Sequence, residues 1–211
     1  MSFPEYLASW LNRYPFDQGW ADDDANFACR RSEAAWLLSL RPKRGLAAQD
    51  DMEQLVRWKF EWRAAQILPL AAVTGDQYRH TAEVVKNAIT YAADHSDDDA
   101  SAMNAICSIK GFGVPMASVF LALCFPDRFT IADSRARRTL RERCGYPAGP
   151  QSFTRDDWPP YLAACRKILD ECRASGVLPR LEGEWTLRSV DQALWAANGA
   201  RTLPCCPCPR P

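Results

Sequence analysis

The chain has 211 residues, no net charge at neutral pH, and 47% apolar residues, with eight tryptophans among its aromatics. That length suits one large domain or two small lobes sharing a well-filled core, and the zero charge gives no overall pointer to nucleic acid. No run of eighteen apolar residues exists, which excludes a membrane-spanning helix, and Met1-Ser-Phe-Pro-Glu-Tyr lacks the basic-then-apolar layout of a signal peptide, so a cytoplasmic protein is expected.

Nearly every segment carries helical spacing and strand-like alternation is almost absent, which predicts an all-α fold. In chain order, helices are expected at about 4–14, 23–40, 50–68, 76–94, 99–109, 114–124, 134–144, 156–175 and 189–198. Between them stand turn signals such as Arg41-Pro-Lys-Arg-Gly45, Thr74-Gly75, Ser96-Asp-Asp-Asp99 and Gly145-Tyr-Pro-Ala-Gly-Pro150. Ser189, followed by Val-Asp-Gln192, reads as an N-cap with a capping-box partner. Within the 50–68 helix, Trp58 and Trp62 lie one turn apart on one face, beside Lys59 and Glu61. Core packing accounts for such a pair, and Trp36 and Trp195 are also expected in the core. His80 and His95 are too isolated for a metal site, and His95, in a polar turn, is expected to be exposed.

The most informative stretch runs from Ile106 to Leu121. Ile106 and Ile109 close one helix, Gly111 and Gly113 flank Phe112, and Ala117 and Leu121 resume the apolar pattern one turn apart. The glycines allow positive φ and close backbone approach. This is a helix-hairpin-helix pattern, in which turn amides and the second helix's N-terminus can receive a phosphate. The charge around it is uneven: residues 101–143 carry seven Lys or Arg against three acids, whereas 76–100 carry six acids against two bases. A basic face beside the hairpin suits a nucleic-acid backbone, although arginines on a helix are also its ordinary solvated face. The residues expected at such an interface are Lys110, Gly111, Phe112, Gly113, Val114, Arg135, Arg137 and Arg138. Asp133 follows Gly113 by twenty residues and opens the 134–144 helix, where it can serve as an N-cap.

Hairpin, linker and aspartate together resemble the helix-hairpin-helix DNA glycosylase superfamily, the group with the endonuclease III and alkyl-base glycosylase branches. The resemblance is close over about residues 100–143 and only compositional elsewhere. It implies a two-lobed helical fold with the active site in a cleft between lobes, 76–144 forming the hairpin lobe and 1–75 with 145–204 the other, leaving 205–211 as a disordered Cys/Pro tail. It implies that Asp133 is the catalytic carboxylate, stabilising the oxocarbenium character that develops as the N-glycosidic bond breaks. Bifunctional members carry a nucleophilic lysine two residues after the second glycine. Here that position is Pro115, so the resemblance implies a monofunctional hydrolase or a protein that has lost catalysis. Trp58, Lys59 and Trp62 are candidates for the pocket that receives a flipped base.

Some members of that superfamily hold an iron–sulfur cluster on four closely spaced cysteines. Cys165 and Cys172 match the opening of that pattern, but Arg173-Ala174-Ser175 stand where the next cysteine is needed, so no cluster is expected. Cys205-Cys206-Pro-Cys208 has no nearby histidine and is too short for a zinc site, so no metal or other cofactor is expected. Cys107, Cys124, Cys144, Cys165 and Cys172 are expected reduced, at or near the core. The leading expectation is a monomeric monofunctional DNA glycosylase that flips a damaged or modified base out of duplex DNA, in base-excision repair or in defence against phage with modified DNA. The alternatives are a non-catalytic helix-hairpin-helix DNA-binding protein and a helical protein-interaction domain.

Overall fold

A computed structural model describes residues 1–12, 49–60, 63–73, 78–147, 152–179 and 183–198. Among them every regular element is an α-helix: α1 (Phe3–Leu11), α2 (Gln49–Phe60), α3 (Ala64–Leu70), α4 (Tyr78–Asp94), α5 (Asp99–Cys107), α6 (Val114–Cys124), α7 (Ser134–Cys144), α8 (Trp158–Ala174) and α9 (Leu187–Ala197). None of these helices is long and apolar enough to cross a membrane. The expected 23–40 helix, Trp36, Glu61, Trp62 and the cysteine-rich tail lie outside the described residues.

Two expectations about helix ends are corrected. The single helix at 50–68 is instead two, α2 and α3. The buried residues of α2 are Met52, Leu55 and Val56; those of α3 are Ala64, Ile67 and Leu68. On one continuous helix these two faces would stand about a third of a turn out of register, so a break lets both reach the core. The last helix starts at Leu187 rather than after Ser189. Extended Thr186 is the N-cap, accepting from Ser189 N at 3.1 Å, while Ser189 Oγ accepts from Thr186 N at 2.8 Å. Leu187 is fully buried and brings that earlier turn into the core.

Helix α6 packs against α2, α4 and α5, and α9 packs against α1, α7 and α8. One apolar core runs through both sets. In α6, Val114 and every residue from Met116 to Leu123 are buried, so it is surrounded rather than amphipathic. Its one buried polar side chain has a definite task. Ser118 Oγ donates to Pro115 O at 3.0 Å and accepts from Ala132 N at 2.8 Å. Tyr161 from α8 donates to Ile131 O at 3.2 Å, and Thr130 Oγ1 donates to Leu187 O at 3.5 Å. The buried strap 129–132 is thereby fixed to α6, α8 and α9, and it ends at Asp133.

A second latch closes the far end. Arg128 donates through Nε to Asp99 Oδ1 at 2.7 Å, through Nη1 to Ala92 O, and through Nη2 to His95 O at 2.8 Å. It therefore satisfies carbonyls at and just beyond the end of α4 while bridging to α5. Arg166 from α8 adds bonds to Asp99 Oδ2 at 2.7 Å and Arg128 O at 2.9 Å. Arg128→Met keeps the aliphatic stem and removes these donors. It should lower the unfolding free energy by about 2–4 kcal/mol in urea titration, because a half-buried carboxylate and two carbonyls lose partners together.

Candidate active site

Asp133 stands at the junction of the strap and α7. Its backbone is extended, and its Oδ1 accepts from Arg135 N at 2.8 Å, the geometry of a helix N-cap. Its Oδ2 accepts from Lys59 Nζ at 3.0 Å. The Lys59 side chain is 9% exposed and that of Asp133 22%, so the pair is largely desolvated yet reachable. Burial works to raise the Asp133 pKa. The Lys59 charge, the Arg135 amide, the Lys59 hydrogen bond and the Arg135 charge outweigh it, and the carboxyl sits below its ordinary range. Asp133 is thus an anion with a cation held against it.

The pair opens onto a cleft of about 560 Å³. One wall is α2 and α3, through Lys59, Phe60, Gln66, Ile67 and Leu70, with Arg63 between them. Gly111, Gly113 and Pro115, Ala132, Asp133 and Ser134, and Ser152 and Phe153 line the rest. Segments distant in sequence therefore meet on one cavity: the glycine turn, the start of α7, and the end of α2. The size is that of an ordinary small-molecule pocket.

The turn between α5 and α6 is the expected break, but its two glycines differ. Gly111 has φ +89°, and a Cβ there would lie 2.9 Å from Leu70 Cβ and 3.3 Å from Ala71 N. The close approach it permits is to the end of α3. Gly113 has φ −112° and extended ψ, a conformation any residue adopts, so the expectation of positive φ holds for Gly111 alone. Gly113 N-caps α6 without a side-chain hydrogen bond, and Pro115 occupies the first turn.

The other expected interface residues divide by burial. Lys110 and Arg138 are exposed. Phe112 and Val114 are buried, Phe112 with its ring 5.6 Å from that of Phe120 and its amide donating to Ile109 O at 3.0 Å. Arg137 is withdrawn from the surface: its guanidinium lies 4.2 Å over the Phe153 ring and 3.7 Å from Asp157 Oδ2. It packs on Phe153, which lines the cleft, and its side chain is buried. Arg135 is partly buried with its guanidinium 4.9 Å over the half-buried Trp195 ring. Trp58 packs on the core with the Arg188 guanidinium 5.6 Å over its ring and does not line the cleft, so of the three base-pocket candidates Lys59 alone is seen there; Trp62 is not described. Cys144 is exposed, against the expectation of a place at or near the core, while Cys165 and Cys172 are buried. Among the described residues no three potential metal ligands come together.

One buried acid was not anticipated. The Asp191 side chain is 3% exposed and paired with Arg188. Among the described residues its Oδ1 has no hydrogen-bond partner. Burial pushes its carboxyl up to about 6, against the pull of Arg188 and Lys59 and with a smaller upward push from Asp133. A raised folded-state pKa means that the folded chain holds the extra proton between about pH 4 and about pH 6, so stability should fall as pH rises through that window, by roughly 3 kcal/mol in total. Asp133 has the opposite sign: its contribution is lost only as pH falls below the ordinary carboxylate range. Urea midpoints measured from pH 4 to pH 6.5 should therefore decline in the wild type, and the decline should flatten in Asp191→Asn.

Ser118 carries a signal that sequence reading passed over, a lone hydroxyl in the apolar run Val114–Cys124. Asp191, one of several acids on amphipathic helices, carried none. No family model, curated protein or solved structure matches the chain.

Proposed function

We propose that the protein is a monofunctional DNA glycosylase that hydrolyses the N-glycosidic bond of a base flipped out of duplex DNA. The observation that carries this reading is the meeting of an anionic, partly accessible Asp133 with the glycine turn on one cleft. In this reading α5, the turn and α6 act as a helix-hairpin-helix that grips a phosphate at the turn, with Lys110 and Arg138 adding sequence-independent attraction. The cleft lies between a hairpin lobe and a lobe drawn from both chain ends. Asp133 stabilises positive charge on the sugar and water completes hydrolysis. Pro115 offers no amine, so strand cleavage does not follow excision. The biological setting is cytoplasmic, in base-excision repair or defence against modified phage DNA.

A non-catalytic DNA-binding module is favoured by one observation, the N-cap bond from Arg135 N, which by itself explains an aspartate at this position. A cap alone does not need a cleft or a buried lysine beside it, and the enzyme reading accounts for all three.

The test is incubation with duplexes bearing damaged or hypermodified bases, followed by alkali to reveal abasic sites. Excision without strand breaks before alkali is expected. Duplex binding should weaken steeply with salt, by roughly a factor of ten or more between 50 and 200 mM, through counterion release. Undetectable affinity at low salt for both normal and modified duplexes would remove the nucleic-acid reading.

A further inference from the structure

Resting on the glycosylase reading, we infer that Lys59 is the acid that protonates the departing base, and that the cleft is built for a neutral, acceptor-bearing base rather than a cationic alkylated one. Lys59 reaches the cleft from α2, with Nζ 3.0 Å from Asp133 Oδ2. Asp133 is the anion of the pair, so the proton resides on Nζ. An ammonium that is 9% exposed and held at one geometry is a pre-organised donor. On the cleft's described lining Lys59 presents an ammonium, and Gln66 adds an amide that both donates and accepts. Such donors suit carbonyl-rich bases. Phe60 and Phe153 supply flat apolar surface for stacking.

The chemistry points the same way. A cationic alkylated base departs as a neutral molecule and needs no proton. An oxidised or deaminated base departs as an anion unless it is protonated, and a donor is then worth about 100- to 10,000-fold in rate. The C1′–N bond breaks with its electron pair moving to the base, and the base takes a proton from Lys59 Nζ. Asp133 remains a carboxylate and stabilises the sugar cation. Water adds to C1′, and the proton it releases returns to the Lys59 amine, leaving the free base and an abasic sugar.

The experiment is single-turnover excision from duplexes containing 8-oxoguanine, uracil, hypoxanthine or 7-methylguanine, with the wild type, Lys59→Met and Lys59→Arg. Lys59→Arg keeps a cation against Asp133, so the fold is retained, but a guanidinium does not give up its proton. Excision of at least one neutral base is expected, faster than that of 7-methylguanine. Both variants should lose about 100-fold or more on the neutral base and only a few-fold on 7-methylguanine, a leaving-group dependence that a structural role would not produce. Excision of 7-methylguanine alone, or wild-type rates in Lys59→Arg, would overturn the acid role and leave the glycosylase reading standing. A borohydride-trapped adduct that disappears in Lys59→Arg would also overturn it, by making Lys59 a nucleophile. Absence of abasic sites from every duplex would overturn both readings.

Discussion

Asp133→Asn is expected to reduce base excision at least about 100-fold while leaving most of the fold intact. The substitution removes the charge that would face the sugar cation and little else. Asparagine caps helices about as well as aspartate, so the bond to Arg135 N at 2.8 Å has a replacement acceptor. The Oδ2 position becomes an amide nitrogen, a donor that cannot accept from Lys59 Nζ. What is lost is that acceptor and the counter-charge for an ammonium that is 9% exposed, a cost of about 1–3 kcal/mol. Asp133→Ala removes the cap as well and should lie lower in stability by roughly a further 1 kcal/mol. Activity and stability thus separate: the Asn variant should be nearly as inactive as the Ala variant but measurably more stable. Single-turnover rates alongside thermal melts test this. Wild-type turnover in Asp133→Asn would reduce the aspartate to a cap and return the protein to the binding-module reading.

The helical class was legible because its signal is periodic. The spacings that mark α6 and α7 fall at Val114–Cys124 and Ser134–Cys144 as expected, each bounded by a residue whose chemistry marks the edge, Gly113 and Asp133. Periodicity does not report where one apolar face stops matching the next, and so 50–68 read as one helix when it is two. Capping signals compete locally, and Thr186 outranks Ser189 because a buried Leu187 draws the chain into helix one turn earlier. The site was legible only as separate residues. Asp133 and the glycines stood out by spacing, and Lys59 by composition alone. Their meeting depends on Ser118, Tyr161 and Thr130 holding the strap, contacts between residues 14 to 57 positions apart that no local pattern encodes. The arginines show the same limit from the other side. Arg137 and Arg138 are neighbours of one type, yet one is buried over Phe153 and the other is exposed, because successive residues on a helix face different directions.

Gly111→Ala should destabilise the protein by about 2–5 kcal/mol, whereas Gly113→Ala should change it by less than about 0.5 kcal/mol. Two independent costs meet at Gly111. Its φ of +89° lies where a Cβ meets the backbone, worth about 1–2 kcal/mol. The added methyl also falls 2.9 Å from Leu70 Cβ and 3.3 Å from Ala71 N. Neither atom is the end of a flexible side chain, so relief requires α3 or the turn to move, at about 1–3 kcal/mol. The end of α3 has little room to yield. Ala72 already sits at φ +50°, Val73 N donates to Leu68 O at 3.1 Å, and Thr81 Oγ1 donates to Ala71 O at 2.8 Å. At Gly113 the nearest atom to an added Cβ is Pro115 Cδ at 3.7 Å, an ordinary contact. The melting temperature of Gly111→Ala should drop on the order of 10 °C, with Gly113→Ala near wild type. The two variants also divide the roles of the turn. Gly111→Ala should lose excision because the hairpin wall and the Lys59 wall of the cleft separate. A bulky residue at Gly113, by contrast, should leave the contact between the turn and α3 intact and weaken duplex binding by keeping a phosphate from the turn amides. Equal melting temperatures for Gly111→Ala and wild type would show that the turn and α3 are not in contact, and with that the cleft they enclose would be lost.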